Sequence, residues 1–343
     1  MSQKIKGAFF SGGLAVLLYL SGLLLWLTPL ALLYAYKKKG REVALWGLVC
    51  GLILLGGLYF GLIPWVSAKF GVVKAQQYLF WLPGVGVTQG QAMLPGAFGL
   101  PYFIFYAGMG LMLGHWEEKV QDITVLVGRV VGALVLGAFL WVLWQSGGSL
   151  STLVGGTENY FQDLLNQMLE APPEGAPEIQ DQLAVLHTYG PSIVYYAVRL
   201  IPGMILAMAI FVTWLNIVIA RRLFFKDAFF KSLGSLKKWQ LPFSFVWALI
   251  GTAALMIADI YLIKVDYFKL LALNAFIVFG SIYFFQGLAI LAFYSQRWSI
   301  APLLRLVFYL LFFLFFQPVG FILLGIGFFD SWFDFRKLTP KAV

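Results

Sequence analysis

The apolar positions of this chain fall in long unbroken runs, not in the alternation of a half-buried strand or the stripe of a surface helix. The runs cover 9–36, 43–66, 99–114, 123–144, 191–220, 241–263, 270–294 and 300–329. Runs of this kind predict helices with apolar residues on every face, and the missing alternation argues against a membrane barrel. The first and last runs hold about 30 residues each, roughly 45 Å as one helix against a hydrocarbon core of roughly 30 Å. Each carries a proline near its middle, Pro29 in WLTPL and Pro318 in FQPVG.

Charge placement chooses between a kinked span and a hairpin for these two runs. If both are hairpins, both termini are cytoplasmic. That side then collects Lys4, Lys6, the KKKGR cluster, Lys119, Arg129, six cations from Arg221 to Lys238, Arg297, Arg305, Arg336, Lys337 and Lys341. Outside are Lys69, Lys74, Lys264 and Lys269, with Arg199 inside a span. Single spans would carry both termini and five cations outward, so the hairpins give the cleaner asymmetry. Each half is then about 14 residues, roughly 21 Å, a length tolerated where a helix packs inside protein or lines a cavity. The expected fold class is an all-α polytopic transmembrane helical bundle. It has about eight apolar segments, up to ten helices counting the hairpins, in a single membrane domain, 1–343.

Two polar segments interrupt the pattern. Residues 146–190 hold six acids and no lysine or arginine, which marks an acidic extracytoplasmic insertion. Within it TENYFQDLLNQMLE predicts a short helix capped by Thr157, with Phe161, Leu164, Leu165 and Met168 on one face. It serves either as a cap over the bundle mouth or as a plain spacer. Residues 221–239 place Phe225, Phe229, Leu233 and Leu236 at helical spacing among lysines. That is the pattern of a cytoplasmic-side amphipathic helix lying in the membrane interface, and equally of one that docks a partner. Gly57 with Gly61, and Gly128 with Gly132, have the spacing of close helix packing.

Composition agrees with the pattern: 61% of residues are hydrophobic, 11% are charged, and the mean hydropathy is +0.86. The net charge of +9 sits in short clusters between apolar runs, as topology determinants and not as a nucleic-acid surface. The N-terminal MSQKIKGAFFSGG begins like a signal peptide, but the long apolar run after it, without a small-residue cleavage site, predicts a retained membrane segment. A single cysteine, Cys50, excludes intrachain disulfides and cysteine-based metal sites. His115 and His187 lie far apart and there is no P-loop, so neither a metal nor another cofactor is expected, and the chain does not read as an enzyme.

Ionisable groups within apolar runs are expensive and mark candidate sites. Arg199 lies about eight residues inward from Pro191, roughly 12 Å, in a helix that Pro202 loosens. Asp259 and Asn274 each lie about five residues, roughly 8 Å, from the same side, and Gln286 sits nearer mid-membrane. Arg199 and Asp259 either pair to join two helices, with Asn274 beside them, or form with it an outward-facing polar pocket in which Arg199 meets a carboxylate or phosphate. The closing GFFDSWFDFRK puts Asp330 and Asp334 on one helix face. Two carboxylates alone make a weak metal signal, whereas the aromatics with Arg336 and Lys337 make an interfacial anchor. In that reading the acids pair with Arg336, Lys337 or the Arg221 and Arg222 cluster.

GIGFFDSWFDFR, the preceding YFFQGLAILAFYSQR, Asn274 upstream of it and LTPLALLYAYKKKG near the start resemble the YybS-like family, bacterial multi-pass membrane proteins of unknown function. That family is thought to be distantly similar to the substrate-binding S components of energy-coupling-factor vitamin transporters. The resemblance implies an outward-facing small-molecule site, and a coupling subunit and ATPases on separate chains. It also implies that Ser11, Gly12 and Ala15 are the face where the coupling partner docks. S-component cores usually have about six spans, fewer than the runs counted above. The expectation is thus a bacterial inner-membrane, transporter-like binder of a small molecule, in contact with the lipid bilayer. A scaffold for envelope or division partners is the second reading, and an intramembrane enzyme acting on lipid is a remote third.

Overall fold

The chain is all-α in the computed structural model, which describes residues 2–71, 87–88, 91–92, 96–117, 119–170, 177–223, 235–263, 265–298, 304, 307 and 316–338. The helices are α1 (Ser2–Leu20), α2 (Thr28–Lys39), α3 (Arg41–Gly56), α4 (Ile63–Phe70), α5 (Gly96–Trp116), α6 (Ile123–Gln145), α7 (Leu150–Glu170), α8 (Pro177–Leu223), α9 (Ser244–Ala258), α10 (Asp266–Arg297) and α11 (Phe316–Phe333). Two short strands, β1 (Val87–Thr88) and β2 (Gln91–Ala92), pair antiparallel. Among the described residues, five helical stretches are long and apolar enough to cross a membrane: Arg41–Phe70, Ile123–Gln145, Ala184–Leu223, Ser244–Leu262 and Asp266–Arg297. Large apolar side chains such as Leu17, Ile53, Trp247 and Leu262 are exposed, as a bilayer solvent requires. The contacts divide the chain into two units, Met1–Ala138 with Phe211–Gly234, and Phe139–Ile210 with Ser235–Val343, so α6 and α8 contribute to both.

In the first unit the run 9–36 folds back on itself. Lys39, at the end of α2, lies with its Nζ 5.9 Å from the Phe10 ring centroid, and a Cβ on Gly7 would stand 2.9 Å from Lys39 Cδ. The two arms are therefore antiparallel. They are unequal, 19 and 12 residues, or about 28 and 18 Å. The break falls at Ser21–Leu24, where Gly22 has a φ of +67°, and not at Pro29. Pro29 instead occupies the first turn of α2, a position where a missing N–H costs nothing. The 3-10 turn Leu25–Leu27 that follows the break is tied down by Asn216, whose Nδ2 donates to the Trp26 carbonyl at 2.8 Å, while Trp26 meets Phe211 edge-on at 5.6 Å. Irregular backbone at membrane depth survives when it is satisfied in this way.

Glycines set the close approaches in this unit. A Cβ on Gly110 of α5 would collide with the Pro29 main chain, and one on Gly114 would come within 2.7 Å of the Tyr36 ring. Gly12 and Gly47 do the same for α1 against α3. Gly57, Gly61, Gly128 and Gly132, expected to pack, would carry a Cβ with nothing within 4 Å. Spacing alone does not say which face a glycine occupies; Gly57 and Gly61 lie instead in a widened π-turn, Gly57–Leu62.

The second unit carries the acidic segment. Gly147 and Gly148, both at positive φ, close off α6, and Ser149 then caps α7 by accepting the Thr152 N–H at 3.3 Å. Thr157 is consequently not the cap: it lies inside α7, its hydroxyl donating to the Leu153 carbonyl at 2.8 Å. α7 runs antiparallel along α8, with Leu165 against Gly190 and Gln162 Nε2 donating to the Pro191 carbonyl at 3.1 Å. α10 and α11 run parallel, since Gly280 meets Leu324, Tyr283 meets Gly327 and Gln286 meets Asp330. The first half of the expected closing hairpin, 300–315, lies for the most part outside the described residues. So does 224–234 of the expected interfacial helix, of which Arg221–Leu223 complete α8 and Leu236–Lys238 form one 3-10 turn.

Candidate functional site

The second unit gathers its polar side chains in two places along α10. Near the start of α10, Arg199 of α8 donates from Nη1 to Glu158 Oε2 of α7 at 2.9 Å and to the Tyr195 carbonyl at 3.1 Å. The guanidinium lies 3.5 Å from the Tyr195 ring centroid, the cation-over-ring contact that an i, i+4 spacing on one helix allows. Beside it Lys269 donates to the Tyr196 hydroxyl at 2.7 Å, with its Nζ 4.4 Å from that ring's centroid. The Arg199 and Glu158 side chains keep 24% and 22% of their exposure. Both described bonds of the guanidinium use Nη1, whereas the planar fork has five N–H donors. This leaves Nε and Nη2 available for bidentate capture of an anion.

Asn274 of α10 completes this cluster from below. Its Oδ1 accepts the Gly203 N–H at 2.7 Å, and its Nδ2 donates to the carbonyls of Arg199 at 3.0 Å and Leu270 at 2.8 Å. In an uninterrupted helix the Gly203 N–H and the Arg199 carbonyl would bond to each other. Pro202, which lacks an N–H, lies between them, and the Asn274 amide bonds both groups, as a peptide would. Gly203 permits the approach, because a Cβ there would stand 2.7 Å from Asn274 Oδ1.

The other expected site residues lie apart. Asp259 is buried where a π-turn ends the α9 span, and its Oδ1 accepts the Val265 N–H at 2.9 Å, satisfying the start of α10. It lies within electrostatic reach of Lys269, and the described partner of Arg199 is Glu158. Gln286 is twelve residues beyond Asn274 on α10, about 18 Å. There it accepts the Leu241 N–H at 3.1 Å and donates to Asp330 Oδ2 at 3.2 Å. Asp330 is paired at 2.7 Å with Arg336, both side chains fully buried, and accepts the Phe335 N–H. Arg336 also donates to the Lys237 and Trp239 carbonyls. The acid of GFFDSWFDFRK is thus a buried clasp, while Phe329, Trp332 and Phe333 remain exposed as an aromatic fringe. Ser11 and Ala15 are buried in the first unit, and Gly12 meets Gly47, Cys50 and Gly51, so the face expected to dock a coupling partner is covered by α3.

Sequence reasoning did not single out Glu158, Tyr195, Tyr196, Lys269 or Gly203. The available signal was Tyr195 four residues before Arg199, and six acids outside with no basic residue among them.

A family model described as a predicted membrane protein (DUF2232) matches residues 84–331. The chain belongs to that family. It is accordingly a multi-pass membrane protein of helical architecture. The matched stretch contains α5 to α10 and most of α11, including the Arg199 cluster, the acidic segment, Gln286 and Asp330, while α1 to α4 precede it and Arg336 follows it. Comparison with curated proteins and with solved structures finds no match.

Proposed function

We propose that this protein is a transporter-like, non-enzymatic binder of a small anionic molecule in the bacterial inner membrane. The site is an outward-facing polar pocket at Arg199, beneath α7. The observation that carries the reading is the origin of the counter-ion: Arg199 is neutralised by Glu158, which belongs to the acidic segment laid over α8 and not to a neighbouring span. The pair keeps 24% and 22% of its side-chain exposure, so a carboxylate or phosphate from water can reach the guanidinium and take the place of Glu158 while Arg199 stays paired. Tyr195, Tyr196 and Lys269 supply a ring face, a hydroxyl and a second cation for the remainder of such a ligand. Asn274 and Gly203 hold the arginine's helix in place.

Any coupling subunit and ATPases would be separate chains, and they would have to meet a surface other than Ser11, Gly12 and Ala15. Affinity purification separates the readings. Copurification of a coupling subunit or a tightly bound anion supports transport. A pull-down rich in envelope proteins, with no ligand and no effect of Arg199→Ala, supports the scaffold and refutes the binder.

A further inference from the structure

The α1–α2 hairpin brings the two ends of its lysine-rich sequence together. Lys4, Lys6, Lys38 and Lys39, with Gly7 and Val43, line an open crevice of about 550 Å³ in the first unit. Gly7 shapes it: the Lys39 side chain lies across the space a Cβ would fill, 2.9 Å from Cδ and 3.2 Å from Nζ. Lys37 takes no part, since it is paired at 3.0 Å with the buried carboxylate of Glu117. The acid at the rim is Glu42, bonded to Lys4 at 2.8 Å with both side chains at least 70% exposed, a screened pair that opposes little. Lys6 and Lys39, which line the crevice on the two arms of the hairpin, repel one another unless an anion joins them.

The surroundings decide which anion. Lys39 lies beside the Phe10 ring, and Phe9 and Phe10 are 61% and 63% exposed, with Leu17 exposed two turns further along α1. The crevice therefore sits at the polar end of a lipid-facing apolar surface, at head-group level, where basic pockets between helices recognise anionic lipid. We propose that this crevice binds the phosphate of an anionic phospholipid head group, with the acyl chains lying on the exposed face of α1. The inference is independent of the Arg199 site.

The test is native mass spectrometry of the full-length protein, delipidated in neutral detergent and titrated with phosphatidylglycerol, phosphatidylcholine or inorganic phosphate. Phosphatidylglycerol is expected to bind in preference to phosphatidylcholine. K6Q/K39Q should weaken it roughly 25-fold, about fivefold per lysine. K6R/K39R should retain it, and K69Q, on α4, should leave it unchanged. Each variant's monodisperse elution is checked alongside. Equal binding of the two lipids, or unchanged binding by K6Q/K39Q, overturns the site. Displacement of the lipid by millimolar inorganic phosphate overturns the lipid assignment in favour of a soluble anion.

Discussion

Replacing Asn274 by Leu removes an amide that bonds two main-chain groups one turn apart in α8, and the cost follows from what is stranded. The Gly203 N–H and the Arg199 carbonyl lose their bonds of 2.7 and 3.0 Å. Leu270 loses less, because its carbonyl is a helix acceptor that keeps a second donor four residues on. An orphaned buried polar group costs about 1–3 kcal/mol, and side-chain hydrogen bonds measured within membranes sit at the low end of that range. Two such groups give a loss of about 2–4 kcal/mol. The helix cannot repair itself by straightening while the Pro202 ring occupies the preceding turn. The combination P202A/N274L should therefore be more stable than N274L by at least about 1 kcal/mol, since the ladder can then close. Equilibrium unfolding of the purified protein in mixed detergent micelles, with N274L, P202A/N274L and wild type side by side, measures this. If N274L unfolds like wild type, or P202A adds to the damage of N274L, the intercalated-amide account is wrong.

Other consequences can be checked on the same preparation. D330N and R336M should each destabilise by about 3–5 kcal/mol, because one charge of a fully buried pair is left alone, while D330N/R336M should cost less than the sum of the two. Additive costs in that cycle would mean that the two groups do not interact. G110V should prevent α5 from approaching α2 and lower yield or thermal stability sharply, whereas G128V, where a Cβ meets nothing, should be tolerated. E158Q should tighten anion binding about two- to fivefold by removing the competing carboxylate, read by displacement of the bound ligand, and a loss of binding instead would make Glu158 part of the site.

Much of the architecture is legible in the residues. The mismatch between a run of about 30 residues and the bilayer, together with the placement of Lys37 to Arg41, already predicts that the first run turns back. The position of the turn is marked by Gly22, at positive φ, whereas Pro29 stands in the first turn of α2, since a proline fits the start of a helix as readily as it interrupts one. The site was half legible. An arginine inside an apolar run announces itself, and Asn274 and Arg199 do come together. The partner of Arg199 was sought among the spans, because depth counting ranks only spanning residues. It came from α7, whose register on α8 is set by Gly190 and Pro191 and by nothing periodic in the sequence. The pairings of Gln286 with Asp330, 44 residues apart, and of Arg336 with Trp239, 97 apart, depend on the parallel register of α10 and α11. That register rests on Gly287 and Gly327, whose added Cβ atoms would strike the main chains of Leu323 and Tyr283. A glycine in an apolar run does not state which helix it faces.

The most direct test of the binding site is mass spectrometry of small molecules released from protein purified without added ligand, comparing wild type with Arg199→Ala. One carboxylate- or phosphate-bearing species is expected, near one per protein in wild type and absent from R199A, with both proteins eluting as the same folded peak. The same species at the same level in R199A, or no anionic species in wild type at a sensitivity well below one per protein, would contradict it.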